Sequence, residues 1–175
     1  MLPIILIMII ILVILNKSYN KHKLEKNKKI LFDKAKEKDV LISKSLFLGE
    51  VKTYKLLILD DVNKKIIYIS KEKKSPSEIK FYSYDYKNIL KCELINNKHT
   101  ETTIALGSIR HRRIYKDYVH KQGFRLILND INNPEIEMNY IISRKGIRCC
   151  CLNQIQKWLS IFEVIIHQNS IKAIV

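Results

Sequence analysis

One basic segment of the chain combines residue types that can bind an anion. Residues Ile109–Arg125 contain six Lys or Arg and one Asp, with Tyr115, Tyr118 and Phe124 interleaved. Cations beside aromatic rings can hold an anionic lipid headgroup or stack on single-stranded nucleic acid. A long solvated loop between strands has the same composition, and we expect that arrangement by default. The candidate contact residues for a membrane surface or a partner are Arg110, Arg112, Arg113, Tyr115, Lys116 and Lys121.

Three consecutive cysteines, Cys149, Cys150 and Cys151, are the next group with reactive side chains. Adjacent cysteines do not form a tetrahedral metal site by themselves, and the paired C-x-x-C spacing of a structural zinc site is absent from the sequence. We expect half-buried thiols at the start of the last helix that behave as small hydrophobic side chains. Redox sensing or thiol modification is the alternative.

Catalytic motifs are absent from the sequence. It has no P-loop, no Gly-rich dinucleotide fingerprint, no zinc-protease motif and no nucleophile elbow. The five histidines are scattered, and the pair His111 and His120 has no carboxylate at ligand spacing. The sequence therefore predicts a protein that is not an enzyme and that has no catalytic residue, metal site or cofactor.

Composition limits the architecture that could position these residues. The chain has 175 residues, 47% of them hydrophobic, and a formal net charge of +15. Only 4 Gly and 3 Pro are present, which excludes collagen-like and Pro/Gly low-complexity chains. One domain with its own core is expected, without room for a large cofactor fold plus a substrate domain.

The first fifteen residues, MLPIILIMIIILVIL, contain no polar side chain. As a helix they would be about 22 Å long, which is shorter than the roughly 30 Å hydrocarbon core of a bilayer. Lys17, Lys21 and Lys23 can extend to the headgroups, and Tyr19 lies where an interfacial aromatic residue is typical. We predict an uncleaved transmembrane anchor over residues 1–15. A signal peptide, or a start codon misplaced within a longer segment, is the alternative.

Charge predicts the orientation of this anchor. Residues 16–44 contain ten Lys and four acidic residues, all on the carboxyl side of the apolar run. By the positive-inside rule the amino terminus lies outside and the rest of the chain is cytoplasmic. A reducing cytoplasm also suits free thiols.

Residues 16–44 are interpreted as a basic juxtamembrane connector. Leu24, Leu31 and Ala35 fall near helical spacing, so a charged helix can continue out of the membrane. A solvated spacer and a polybasic segment lying on anionic headgroups are compatible readings of this region. Its first basic residues are Lys17, Lys21, Lys23, Lys26, Lys28 and Lys29.

From about Leu46 the pattern becomes typical of strands, with turn residues between apolar runs. One of these runs places Tyr82, Tyr84 and Tyr86 on one face, as a half-buried strand face or as a stacking platform. The predicted strands are Thr53–Asp60, Lys65–Ser70, Glu78–Tyr86, Asn88–Ile95, Thr102–Gly107, Gly123–Asp130 and Glu135–Ile142.

The segment Leu152–His167 has the spacing of an amphipathic helix. Apolar residues such as Ile155, Trp158 and Phe162 recur every three or four positions, with polar residues opposite. A run of short strands followed by one helix predicts a mainly β fold. We expect a partly open antiparallel barrel or sandwich of six to seven strands, with one C-terminal helix covering an end of the core.

The residues of this region resemble a known family. FYSYDYKNILKCELINN, GFRLILNDINNPEIEMNYI and the helix around QIQKWLSIFEVII are similar to bacterial pleckstrin-homology-like (PH-like) domains, found in many small uncharacterised proteins and in some with a SHOCT segment. The resemblance covers roughly residues 46–167 and implies a PH-like domain. The residues that carry it are Asp85, Ile89, Glu93, Leu94, Asn129, Asp130, Asn133 and Pro134.

These observations predict a domain order and a function. The predicted order is an anchor at 1–15, a connector at 16–44, a PH-like domain at 45–168 and a tail at 169–175. The predicted function is a single-pass, membrane-anchored binding or adaptor protein whose cytoplasmic domain engages a protein partner or the anionic inner membrane surface. A nucleic-acid-binding module tethered at the membrane is the alternative, and no small-molecule substrate is inferred.

Overall fold

The computed structural model of the protein describes residues 2–75, 78–105, 112–148 and 151–172. Within these ranges a long helix precedes two antiparallel sheets, and a second helix follows them. The mainly β class, the N-terminal helix and the C-terminal helix are therefore confirmed. The elements are α1 (Leu2–Lys36), β1 (Lys44–Gly49), β2 (Thr53–Asp60), β3 (Lys65–Glu72), β4 (Ile79–Asp85), β5 (Ile89–Ala105), β6 (Arg112–Leu128), β7 (Glu135–Ile147) and α2 (Leu152–Lys172), with a single 3₁₀ turn at Tyr86–Asn88.

Helix α1 runs without interruption from the apolar segment into the basic connector. No Gly or Pro occurs between Leu15 and Lys36, and the Lys, Leu and Glu residues there are good helix formers. The helix ends in a Schellman motif, in which the N–H of Val40 donates to the C=O of Ala35 at 3.3 Å and Asp39 takes a φ of 52°. The predicted connector is thus helical over most of its length.

The second half of α1 packs on the outer face of the four-stranded sheet. Leu31 and Ala35 are fully buried there, and the sheet contributes a matching apolar face. The sheet residues of this outer core are Tyr54, Leu56, Ile58, Ile67 and Ile69. A purely solvated spacer is therefore the wrong description of residues 27–36, because this part of the helix forms a core with the domain.

The four-stranded sheet has the order β1-β2-β3-β4, with all neighbours antiparallel. Strand β2 is buried on both faces, since alternate residues point to α1 and to the other sheet. Leu57 and Leu59 face the inner core between the sheets, whereas Leu56 and Ile58 face α1. Strand β1 was not among the predicted strands.

The three-stranded sheet has the order β5-β6-β7 and differs most from expectation. The predicted strands Asn88–Ile95 and Thr102–Gly107 belong to one strand, β5, from Ile89 as far as Ala105, and residues 106–107 lie outside the described ranges. The default loop over Ile109–Arg125 is also wrong from Arg112 onward, since these residues begin β6. The polar residues 96–101 lack apolar alternation, but cross-strand pairs such as Thr100 Oγ1 donating to Asp117 at 2.7 Å stabilise them as a strand.

The outer part of this hairpin extends beyond the sheet as a two-stranded arm. Residues 99–105 of β5 pair with 112–118 of β6, whereas β7 follows β6 only as far as the pair Val119 and Ile147. Seven residues of strand correspond to about 23 Å.

Helix α2 completes the inner core between the two sheets. Ile155 and Phe162 are fully buried, and Phe162 packs against Phe124 with ring centroids 5.7 Å apart. Trp158 is half-buried and stacks on Phe124 at 6.3 Å. The predicted amphipathic helix is confirmed, and it continues five residues beyond His167 to Lys172.

A partly buried ion pair of the first sheet is hydrogen-bonded to the second sheet. The Glu50 carboxylate pairs with Lys55 at 2.8 Å and accepts the backbone N–H of Asn139 at 3.0 Å. Lys55 also donates to the C=O of Glu137 at 2.8 Å. The β1–β2 turn is thus held against β7 by hydrogen bonds that a change at Glu50 would break.

Candidate functional site

A basic pocket lies between α1 and the ends of β2 and β3. Its volume is about 430 Å³, and one wall is the helix while the other is the sheet. Two of the predicted juxtamembrane lysines, Lys23 and Lys26, line it. The complete lining, which we call the basic pocket, is Tyr19, His22, Lys23, Lys26, Asn27, Ile30, Tyr54, Lys71, Glu72 and Lys73.

Lys71 is the most buried cation of this pocket, with 7% of its surface exposed. It continues the face of β3 that carries Ile67 and Ile69 toward α1, and it reaches the buried Asn27 of the helix. The Lys71 ammonium donates to Asn27 Oδ1 at 3.0 Å, and Asn27 Nδ2 donates to the C=O of Lys23 at 2.7 Å. Asn27 therefore orients Lys71 and joins it to the helix backbone.

Lys73 lies two residues farther along, above the ring of Tyr54 at 4.9 Å from its centroid. Its ammonium also donates to the backbone C=O of Glu50. Burial lowers the pKa of Lys73, and the nearby charge of Lys23 lowers it further, while Glu50 acts in the opposite direction. Like charges are thus crowded on this side of the pocket.

The charges of the pocket are unbalanced. Four lysines and one acidic residue, Glu72, line it. Among the residues that the structure describes, no salt bridge involves Lys23, Lys26, Lys71 or Lys73. An anion at this position would therefore meet several uncompensated cations at once.

The pocket lies close to the point where α1 leaves its apolar stretch. Helix α1 is long and apolar enough to cross a membrane, and its apolar window is fully exposed to the surroundings. Lys23 is eight residues beyond Leu15, which corresponds to about 12 Å along the helix axis. Tyr19, between them, is 64% exposed, as an interfacial aromatic side chain would be.

The pocket has the chemistry to bind an anion, because it offers several ammonium donors. No family model, curated protein or solved structure matches the chain.

The remaining predicted juxtamembrane lysines, Lys17, Lys21, Lys28 and Lys29, are exposed on α1 outside the pocket lining.

The predicted basic-aromatic patch is divided by the structure. Arg110 lies outside the described residues, and Arg112, Arg113, Tyr115 and Lys116 are described for their backbone in β6 alone. The last member of the patch, Lys121, is bonded to Glu137 of β7 at 2.7 Å. Its charge is therefore compensated within the sheet.

The tyrosine stripe belongs to the core rather than to a stacking surface. Tyr84 and Tyr86 are each 6% exposed, and Tyr82 packs between Tyr68 and Tyr84. The hydroxyl of Tyr86 donates to Asp61 at 2.6 Å. The half-buried strand face, not the platform, is the correct reading of these residues.

The thiols and histidines are only partly described by the structure. Cys149, Cys150 and His111 lie outside it, and Cys151 is half-buried as expected, with its backbone N–H donating to Gln122 at 2.7 Å. Burial, with the nearby Glu163 and Glu93 charges, raises the pKa of Cys92 to about 12. Among the described residues no group of three His, Cys, Asp or Glu side chains is arranged to hold a metal ion.

Sequence reasoning missed the sheet side of the basic pocket. Lys71 follows Ile67 and Ile69 at alternate positions, so the period of β3 already places it on a buried face. That α1 covers this face depends on packing between distant segments, which the side-chain pattern of β3 does not reveal.

Proposed function

We propose that this chain is a non-enzymatic, single-pass membrane protein whose cytoplasmic PH-like domain is held by α1 against the anionic inner membrane surface, where it can receive a protein partner. The observation that carries the proposal is the continuity of α1. One helix contains the apolar segment and also packs into the outer core of the domain through Leu31 and Ala35. The domain is therefore kept at a short distance from the membrane instead of on a flexible tether.

The strand and helix content supports a PH-like domain. Among the described residues, two antiparallel sheets of four and three strands are followed by one helix that packs against β5 and β6. The cytoplasmic orientation is supported by the lysine excess that follows Leu15. The nucleic-acid alternative is less well supported, because Tyr84 and Tyr86 are buried and do not offer a surface on which bases could stack.

The test uses two exposed valines at opposite ends of β2. Val51 lies in the β1–β2 turn near Gly49, where an added Cβ would meet Leu24 of α1, and it is 65% exposed. Val62 lies in the β2–β3 turn at the other end and is 71% exposed. A photo-crosslinking side chain is placed at either position in the full chain, reconstituted in bilayers with or without anionic lipid.

We expect lipid crosslinks at Val51 and few at Val62, with the Val51 yield rising with anionic lipid and falling with salt. Equal yields at the two positions would show that the domain is not held at the surface. Orientation is tested separately by a reporter fused after Val175, which we expect to be active as a cytoplasmic reporter alone. Activity of an external reporter would contradict the assignment.

A further inference from the structure

Among the residues that the structure describes, the one hydrogen-bond partner of the buried Lys71 ammonium is an amide oxygen, Asn27 Oδ1. A buried cation costs free energy unless charge and hydrogen bonds compensate it. An amide oxygen supplies a hydrogen bond but no charge. A bound anion would supply both, and the ammonium of Lys71 has two further protons to donate beyond the one used with Asn27 among the described residues.

Lys23, Lys26 and Lys73 add three more cations around the same pocket. They come from different elements, since Lys23 and Lys26 are on α1 and Lys73 follows β3. Their positions are set by packing, because Leu31 and Ala35 hold the helix against the strand face that carries Lys71. The cations therefore converge in the folded protein and would be far apart if α1 left the sheet.

The size and polarity of the pocket indicate the class of anion. A volume of about 430 Å³ accommodates a phosphate with a small substituent. Lysine binds phosphate as a point charge through its ammonium donors, and several lysines around one group are a typical arrangement. A carboxylate would use fewer of the converging donors than the oxygens of a phosphate.

We propose that the basic pocket between α1 and β3 binds a phosphate group, carried by a lipid headgroup or free in solution, with Lys71 as its central donor and Asn27 as the residue that positions Lys71. The lipid source rests on the proposed function, because it requires α1 to hold the pocket at the membrane. The free source does not. Both sources use the same ammonium donors.

The experiment measures thermal unfolding of the full chain in nonionic detergent, followed by the fluorescence of its single tryptophan, Trp158. A ligand that binds the folded state raises the midpoint, because it adds RT ln(1 + [L]/Kd) to the free energy of unfolding. One arm adds inorganic phosphate, with sodium chloride at equal ionic strength as the reference. The other arm adds short-chain phosphatidic acid to the micelle, with short-chain phosphatidylcholine as the reference.

Three variants locate the effect. Lys71→Met keeps an unbranched side chain that is one atom shorter and removes its charge, and Lys73→Gln changes a more exposed member of the pocket. Lys28→Gln removes the same charge from an exposed position of α1 that does not line the pocket. Each variant is compared with its own midpoint without ligand, so a change in basal stability does not obscure the response.

We expect the wild-type midpoint to rise with a phosphate ligand, apparent affinity to fall about fivefold or more in Lys71→Met and Lys73→Gln, and little change in Lys28→Gln. A response to phosphatidic acid alone assigns the lipid source, a response to inorganic phosphate alone assigns the free source, and a response to both assigns the phosphate group itself. No response in the wild type, or an equal response in Lys71→Met, would overturn the proposal. Because this measurement needs no bilayer, its failure beside a positive Val51 crosslink would leave the proposed function intact.

Discussion

The two helices of the protein pack on different strands, α2 mainly on β5 and β6 and α1 on β2 and β3. Helix α2 inserts Ile155, Phe162 and Ile165 into the inner core between the sheets. Helix α1 fully buries two side chains, Leu31 and Ala35, on the outer face of the four-stranded sheet. The difference shows that α2 is part of the domain's main core, whereas α1 is attached by a smaller apolar contact reinforced by the Asn27–Lys71 hydrogen bond.

The largest effect should come from α2. Phe162→Ala removes a fully buried ring that contacts both Phe124 and Trp158, and it should lower the free energy of unfolding by about 3–5 kcal/mol. Chemical denaturation of the full chain in detergent, followed by circular dichroism, measures this loss. Val164→Ala is the matched control, since Val164 is on the same helix and 55% exposed. Similar losses for both variants would show that α2 does not close the inner core.

The contact between α1 and the sheet should contribute less stability, but it should fix the position of the domain relative to the membrane. Leu31→Ala should cost about 2–4 kcal/mol, because a fully buried leucine is truncated and the helix lies on one face of the sheet alone. Lipid crosslinking at Val51 should fall in the same variant, as the domain moves more freely relative to the membrane. The control is Leu41→Ala, just beyond α1 and 51% exposed. Unchanged stability and crosslinking in Leu31→Ala would mean that α1 does not hold the domain.

The stability lost by breaking the polar contact between α1 and the sheet should depend on whether Lys71 is still charged. Asn27→Ala removes the partner of a buried ammonium and should cost about 1–3 kcal/mol. Lys71→Met should remove most of this cost when combined with Asn27→Ala, since no buried charge is then left without its partner. A double-mutant cycle of unfolding free energies measures the coupling. Additive losses would show that the two side chains act independently.

The smallest effect concerns Asp60, which joins the segment after α1 to the β2–β3 turn. Burial raises the pKa of Asp60, but hydrogen bonds from Asn63 and from the backbone N–H of Leu41 outweigh it, so the net pKa is below the usual value. A carboxyl whose folded pKa is lowered contributes stability above its unfolded pKa and loses it as pH falls through the folded pKa.

Asp60→Asn should therefore cost about 1 kcal/mol at pH 7, and the difference from wild type should shrink as the pH is lowered below about 4. Urea denaturation at several pH values measures the trend. Asp85→Asn is the reference, because Asp85 pairs with the largely exposed Lys87 and should change little at any pH. A cost for Asp60→Asn that does not depend on pH would contradict the role of its charge.

The spacing of apolar residues within short segments correctly predicted both helices and two of the strands. The apolar run before Asn16 predicted a helix able to span a membrane, and the spacing of Ile155, Trp158 and Phe162 predicted α2. Alternation in Thr53–Asp60 and Lys65–Ser70 predicted two neighbouring strands, which pair antiparallel from Thr53 and Glu72 to Asp60 and Lys65. In each case the period of the side chains reports which face is buried, and the period is contained in a few consecutive residues.

Strand length and the position of β1 were decided by pairing. Residues 96–101 of β5 are polar and read as a break between two strands, yet their backbone pairs continuously with β6 apart from one bulge at Asn97 and Lys98. Strand β1 has a weak alternation of its own and is stabilised by its pairing with β2. A hydrogen-bonded partner supplies the free energy that propensity does not, and the partner is distant in the sequence.

The candidate site belongs to the same class of non-local facts. The sequence by itself determined that lysines follow an apolar helix, whereas Lys71 lay one residue beyond the predicted strand Lys65–Ser70. That these lysines form one pocket was decided by the tertiary structure, because Asn27 and Lys71 are 44 positions apart and meet through the packing of Leu31 and Ala35 on the sheet. Charge and periodicity are properties of a segment, whereas the convergence of charges depends on which two surfaces bury their apolar residues against each other.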